Sequence, residues 1–161
     1  MPIFHAQLSG QGRTPDGKIV SVHPGILLAQ QGPRAQVAIS LARPIANEWL
    51  QQGLTLPAPT SGHALIDTGA SHTCIDDEAA QKLGLPVVDV ASISSASHAA
   101  TQQNVYPVLL EILGGQVVIE SVRAIGGPLK AQGLLALIGR DVLRMCTLHY
   151  NGVVGQFTLA L

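Results

Sequence analysis

The apolar residues of this chain come in strand-length runs broken by glycine and proline, and that punctuation restricts the fold more than any other feature. Such runs occupy residues 19–22, 25–29, 35–41, 87–93, 105–112, 116–125 and 134–138. Short aliphatic and β-branched stretches bounded by turn formers read as strands, so the chain is predicted to be mainly β. The segment Gln31-Gly32-Pro33-Arg34 predicts a hairpin between the second and third runs. Gly114-Gly115 predicts a tight turn, and Asn151-Gly152 predicts a closing hairpin of 147–150 with 153–161.

Other segments depart from this pattern. Residues 1–17 hold Gly10, Gly12, Pro15 and Gly17 without a hydrophobic period; they read as a loop-rich lead-in, which leaves 18–161 as a single domain. Residues 45–52 carry helix formers ahead of Gly53 and read as a short helix, followed by a connector marked by Pro57, Pro59 and Gly62. Trp49 is assigned to packing, because a lone indole beside Leu50 more often anchors a segment on the core than stacks on a ligand. Residues 76–83 predict another short helix, in which Asp76, Asp77 and Glu78 cap the start and complement its dipole rather than catalyse. A last short helix is predicted at 140–145.

At 161 residues the chain has the size of one domain. Hydrophobic residues make up 47% and charged residues 12%, so polar surface is scarce and part of the apolar surface is expected to meet a partner. The net charge of -1, without a run of either sign, gives no electrostatic footprint for nucleic acid or for an anionic membrane. No stretch reaches the roughly 18 apolar residues that cross a bilayer. Residues 1–8 lack the basic and apolar regions of a secretory signal, and Cys74 and Cys146, far apart and outside any Cys-x-x-Cys, read as reduced thiols. Together these predict a soluble, cytoplasmic protein. His5, His23, His63, His72 and His149 show no close ligand spacing, so neither a metal nor a cofactor is predicted.

The chemistry sits in Ala64-Leu65-Ile66-Asp67-Thr68-Gly69-Ala70-Ser71. An aspartate ends an apolar strand where the chain turns sharply. Burying an unpaired carboxylate costs several kcal/mol, on the order of the penalty for any desolvated ion, so the fold has to supply donors, a partner or a shared proton. Thr68 offers a hydroxyl, Gly69 allows close backbone approach, and Ala70 and Ser71 keep the turn small.

The run Asp67-Thr68-Gly69-Ala70-Ser71, followed by Thr73-Cys74-Ile75, resembles the retropepsin-like, or retroviral-type, aspartic peptidases. A second landmark lies roughly seventy residues on, where Leu135-Ala136-Leu137-Ile138-Gly139-Arg140-Asp141 resembles the family's apolar-apolar-Gly-Arg-Asp/Asn segment. The resemblance implies a closed, barrel-like β fold with one or two short helices, and a homodimer in which two copies of Asp67 share a proton and hydrolyse peptide bonds. It implies further that Thr68 buttresses the loop and that Ala70 and Ser71 line the cleft. Gly139, Arg140 and Asp141 would be structural, with Arg140 bracing the active-site loop or the dimer. It places a substrate-closing flap at residues 91–106, tipped by Ser95-Ala96-Ser97-His98-Ala99-Ala100, with Ser97 and His98 meeting the peptide. The terminal strands, 147–150 and 153–161, are the segments expected to join the subunits. A rival expectation is the same fold kept as a binding or dimerisation module with little peptidase activity. Aspartyl-phosphate chemistry is disfavoured, because no phosphate-cradling glycine loop or second acidic cluster accompanies Asp67.

Overall fold

The computed structural model describes residues 2–95 and 98–161, with only the backbone of 94, 95, 98, 99, 121 and 122. The chain runs through β1 (Ile3–Gln7), β2 (Gln11–Arg13), β3 (Ile19–Ser21), α1 (Pro24–Gln31), β4 (Arg34–Leu41), α2 (Arg43–Gln51) and β5 (Thr60–Ile66). There follow β6 (Cys74–Asp76), α3 (Asp77–Lys82), β7 (Asp89–Ser95), β8 (His98–Ile112) and β9 (Val117–Gly127). A 3-10 turn (Lys130–Gln132), β10 (Ala136–Ile138), α4 (Arg140–Leu143), β11 (Thr147–Asn151) and β12 (Gln156–Ala160) complete it. As the sequence predicts, strand dominates.

Six strands, in the order β4-β5-β10-β6-β9-β8, close on themselves through the pairing of β8 with β4, and β7 adds to the outer edge of β8. Closure leaves no open edge within that ring and lets the inward side chains form one core. Val37, Ile39, Ala64, Ile75, Val108, Ile112, Ala136 and Ile138 are all fully buried there. β1, β12 and β11 make a separate three-stranded sheet, and β2 pairs with β3 alone.

Two readings of the sequence are corrected. Residues 25–29 are not a strand paired with 35–41; they lie in α1. Pro24 occupies the first helical turn, His23 Nδ1 accepts from Gly25 N (3.1 Å), and Gly32, at φ 71°, ends the helix. Proline at the start and glycine after the end are helix punctuation, whereas a short apolar run taken alone suits either state. Residues 3–7 are not loop: they form β1, with Phe4 and Ala6 turned toward the core, a period of two too short to stand out among the glycines that follow. The turn expected at Gly114-Gly115 spans residues 113–116, because Ile112 is opposite Val117; Gly114, at φ 86°, supplies the left-handed step.

The short helices form where expected. α2 turns Ile45, Ala46 and Trp49 onto the core along one face, so the indole packs as predicted. α3 is capped by Asp76, whose carboxylate accepts from Ala79 N (3.1 Å) and also from Lys130 N (2.8 Å). Asp77 accepts from the Tyr106 hydroxyl (2.6 Å), tying α3 to β8. Among the described residues, no helix is long and apolar enough to cross a membrane.

Candidate active site

β5 and β10 run parallel, in register from Ala64↔Ala136 to Ile66↔Ile138, so the segments beyond their ends emerge side by side. Asp67 stands at the first of these exits and Gly139 at the second, where Asp67 N donates to the Ile138 carbonyl (2.9 Å). Two buried apolar strands thus fix the base of the carboxylate, as the sequence requires of a strand-end acid.

The Asp67 carboxylate is half-buried, and its Oδ1 accepts from Gly69 N (2.8 Å) and Ala70 N (3.2 Å). Both donors are backbone N–H groups of the turn that follows the strand. Oδ2 has no donor among the described residues and stays open. A side chain at Gly69 would sit 3.1 Å from Oδ1, so the close approach expected of this glycine is present.

Arg140 reaches back over the loop. Its Nη1 donates to the carbonyls of Thr68 and Gly69, both at 2.9 Å, and Nη2 to the Ser71 hydroxyl (2.8 Å). The guanidinium therefore grips two main-chain oxygens and one hydroxyl of the loop. Arg140 N and Asp141 N bond to the carbonyls of Ala70 (3.0 Å) and Ser71 (3.3 Å), so the two segments are also stitched backbone to backbone. Gly139 must be glycine: a Cβ there would fall 2.4 Å from the carbonyl carbon of His72.

Thr68 does not buttress the loop from below. Its side chain is exposed and makes no hydrogen bond among the described residues. That work falls to Thr73, which sequence reading missed. Fully buried, it donates its hydroxyl to Asp141 Oδ1 (2.8 Å), accepts from Gly139 N (3.1 Å), and shares its N–H between both Asp141 oxygens (2.9 Å each). A threonine between the motif and a strand was the available signal, but its partners lie 66 and 68 positions away.

The expected flap corresponds to the antiparallel pair β7 and β8, in register from Asp89↔Val105 to Ile93↔Thr101. Ser97 lies outside the described residues, as does the side chain of His98. Arg123 of β9 pairs with Asp89 and holds that carboxyl below its ordinary value. A cavity of about 540 Å³ lies between β7, β8 and β9 and the α4 segment, lined by His72, Ile93, Val105, Arg123, Asp141 and Met145 among others, and Asp67 is not part of its lining. Cys74 and Cys146 are free thiols. Burial, then the charges of Asp141 and Asp67, push the Cys74 thiol up to about 11, and burial raises Cys146. No trio of His, Cys, Asp or Glu among the described residues is gathered to hold a metal ion.

Residues 59–145, more than half of the chain and the whole of this constellation, match the family described as gag-polyprotein putative aspartyl protease. The chain belongs to that family. Two solved structures resemble this chain. One is the solution structure of Simian Foamy Virus (mac) protease, at 17% identity and a TM-score of 0.42, covering 70% of this chain and 92% of the other. The second is the crystal structure of a retropepsin-like aspartic protease from Rickettsia conorii, at 13% identity and a TM-score of 0.43, covering 98% of this chain and 92% of that one. A comparison with curated proteins yields no match. The family match begins just ahead of β5 and ends just beyond α4, so it leaves out β1 to α2 and the strands β11 and β12 of this gag-type chain.

Proposed function

We propose that the chain is an aspartic endopeptidase that works as a homodimer, with the Asp67 carboxylates of two copies forming one catalytic pair. The observation that carries this reading is the half-satisfied Asp67: Oδ1 is held by two backbone donors, while Oδ2 has no donor among the described residues. One carboxylate takes a proton from water as the water oxygen attacks the peptide carbonyl, and the other gives its proton to the carbonyl oxygen; collapse of the resulting diol breaks the C–N bond as the amine takes up a proton. One chain brings one such group, so a two-fold axis must bring the other. Two carboxylates at about 3 Å share one proton and titrate as a unit, which favours activity in acid.

The flap strands and the cavity beside His72 support a peptide as substrate, laid in extended form along β7 and β8. Asp67→Asn keeps the size and the two N–H contacts but cannot exchange the proton. Cleavage of a peptide library at mildly acidic pH is expected to fall by at least about a hundredfold in this variant, the usual weight of general acid–base catalysis. Unchanged cleavage would remove Asp67 from the mechanism. No cleavage by the parent chain at any concentration would favour the binding-module alternative.

A further inference from the structure

Outside the Asp67 loop, a cleft of about 790 Å³ lies between β1 and the outer face of β4 and β5. Strand alternation builds it. Along β4, Ala35 and Val37 are buried, so Arg34 and Gln36 turn outward, opposite Leu65 and His63 of β5. Phe4, Ala6 and Leu8, on β1 and just past its end, form the facing wall. The turn at residues 113–116 bridges the two walls. Leu113 N donates to the Gln36 carbonyl (2.8 Å), and a side chain at Gly115 would fall 2.7 Å from Phe4 Cβ. The volume is that of sites which enclose small ligands.

Arg34 gives the cleft its chemistry. It is half-buried, its Nε donates to the Gln31 carbonyl (3.1 Å), and neither Nη group has an acceptor among the described residues. Lys18, Arg43, Arg123 and Lys130 each pair with an acid, whereas Arg34 has no such partner among the described residues. No Asp or Glu stands in the lining, whose second basic group is His63. A guanidinium oriented by one bond, with its fork left open, matches a carboxylate held by two parallel hydrogen bonds. We propose that this cleft binds the free C-terminal carboxylate of an apolar peptide. Arg34 grips the carboxylate, Phe4, Leu8 and Leu113 cover the side chains, and the amides of Gln31 and Gln36 meet the peptide backbone. A fatty acid carries the same charge, but its tail would take those amides out of water without a partner. No residue of the Asp67 loop lines this site, so it stands whether or not the chain cleaves peptides.

The probe is an N-acetylated pentapeptide of alanine and leucine, titrated calorimetrically into the full chain near neutral pH, once as its free acid and once as its C-terminal amide. The acid is expected to bind at least about tenfold tighter than the amide, the weight of a charge-assisted pair. Equal binding of the two by the parent chain overturns the proposal without recourse to any variant. Arg34→Gln should bring the acid down to the affinity of the amide, and Arg34→Lys, which keeps the charge but not the fork, should retain only part of the preference. A preference that survives Arg34→Gln places the carboxylate elsewhere and defeats the assignment. Gln36→Glu covers the case in which Arg34→Gln does not fold: this exposed position, two residues along the same face, gives Arg34 an acid of the chain's own. It is expected to cost the acid probe most of its advantage, and an undiminished advantage counts against the site. Laurate, titrated in parallel, is expected to bind more weakly than the peptide acid; Arg34-dependent binding of laurate without binding of the peptide would make the ligand a lipid and overturn the peptide class.

Discussion

The residue that most repays measurement is Thr73. Its hydroxyl fills a donor and an acceptor need at once, so Thr73→Val, which keeps the shape, leaves Gly139 N without its acceptor and Asp141 with one donor fewer. The expected loss is about 1–3 kcal/mol in urea unfolding, the cost of stranding buried polar groups; a change within error would mean water replaces the hydroxyl. Arg140 acts differently, since it is exposed and holds oxygens by geometry. Lysine cannot reproduce a fork that reaches two carbonyls and a hydroxyl. Arg140→Lys is accordingly expected to lower peptide cleavage while shifting the unfolding midpoint little, and equal activity would show that the loop holds itself. Cys74 offers a test of environment, because a thiol pushed up to about 11 is almost entirely protonated near neutrality. Its reaction with a disulfide reagent in the folded chain should be slower than in urea, and equal rates would refute the half-buried placement.

At the scale of elements, the loop after β5 and the turn into α4 behave as one unit held by a few contacts. Asp76 is a comparable device at the start of α3, where one carboxylate caps a helix and fixes the approach of the 3-10 turn through Lys130 N. Asp76→Ala is expected to cost about 1–3 kcal/mol, a cap and a buried acceptor lost together, measured as a drop in urea midpoint with unchanged slope. The sequence showed this acid as a cap, because an acidic start followed by alanines and then Leu83-Gly84 is local information. It showed strand type well for β4, β8 and β9, whose apolar runs are long. It failed at α1, where a run of five apolar or small residues fits either state and the Pro24 and Gly32 signals had to be weighed above it. The Thr73 contacts were illegible for another reason, since nothing local says which buried hydroxyl meets which carboxylate.

For the whole molecule, pH acts on stability through paired surface charges. Lys130 holds Glu78 below its ordinary value of 4.5, and Glu78 raises Lys130 above 10.5; Arg123 holds Asp89 below 3.8. A depressed acid contributes stability above its unfolded value and loses it as pH falls through its folded one; a raised base contributes below its unfolded value and loses it as pH rises through its folded one. Thermal stability is therefore expected to decline below about pH 4 and again above about pH 10.5, and Glu78→Gln should flatten both slopes. Both groups of the Glu78–Lys130 pair are fully exposed, so the slopes are shallow and screened by salt.

What the sequence determined by itself was the class of fold, the candidate carboxylate Asp67 and the second landmark, because strand punctuation and the Asp-Thr-Gly and Gly-Arg-Asp segments are each written in a few adjacent residues. What only the tertiary structure decided was how those pieces meet. The parallel pairing of β5 with β10 brings Asp67 beside Gly139, the placement of Thr73 replaces Thr68 as the inner buttress, and the pairing of β1 with β12 closes the last sheet inside one chain. Each of these joins residues far apart in sequence. Such contacts form because they bury apolar strands and satisfy backbone groups jointly, a condition that no single segment carries.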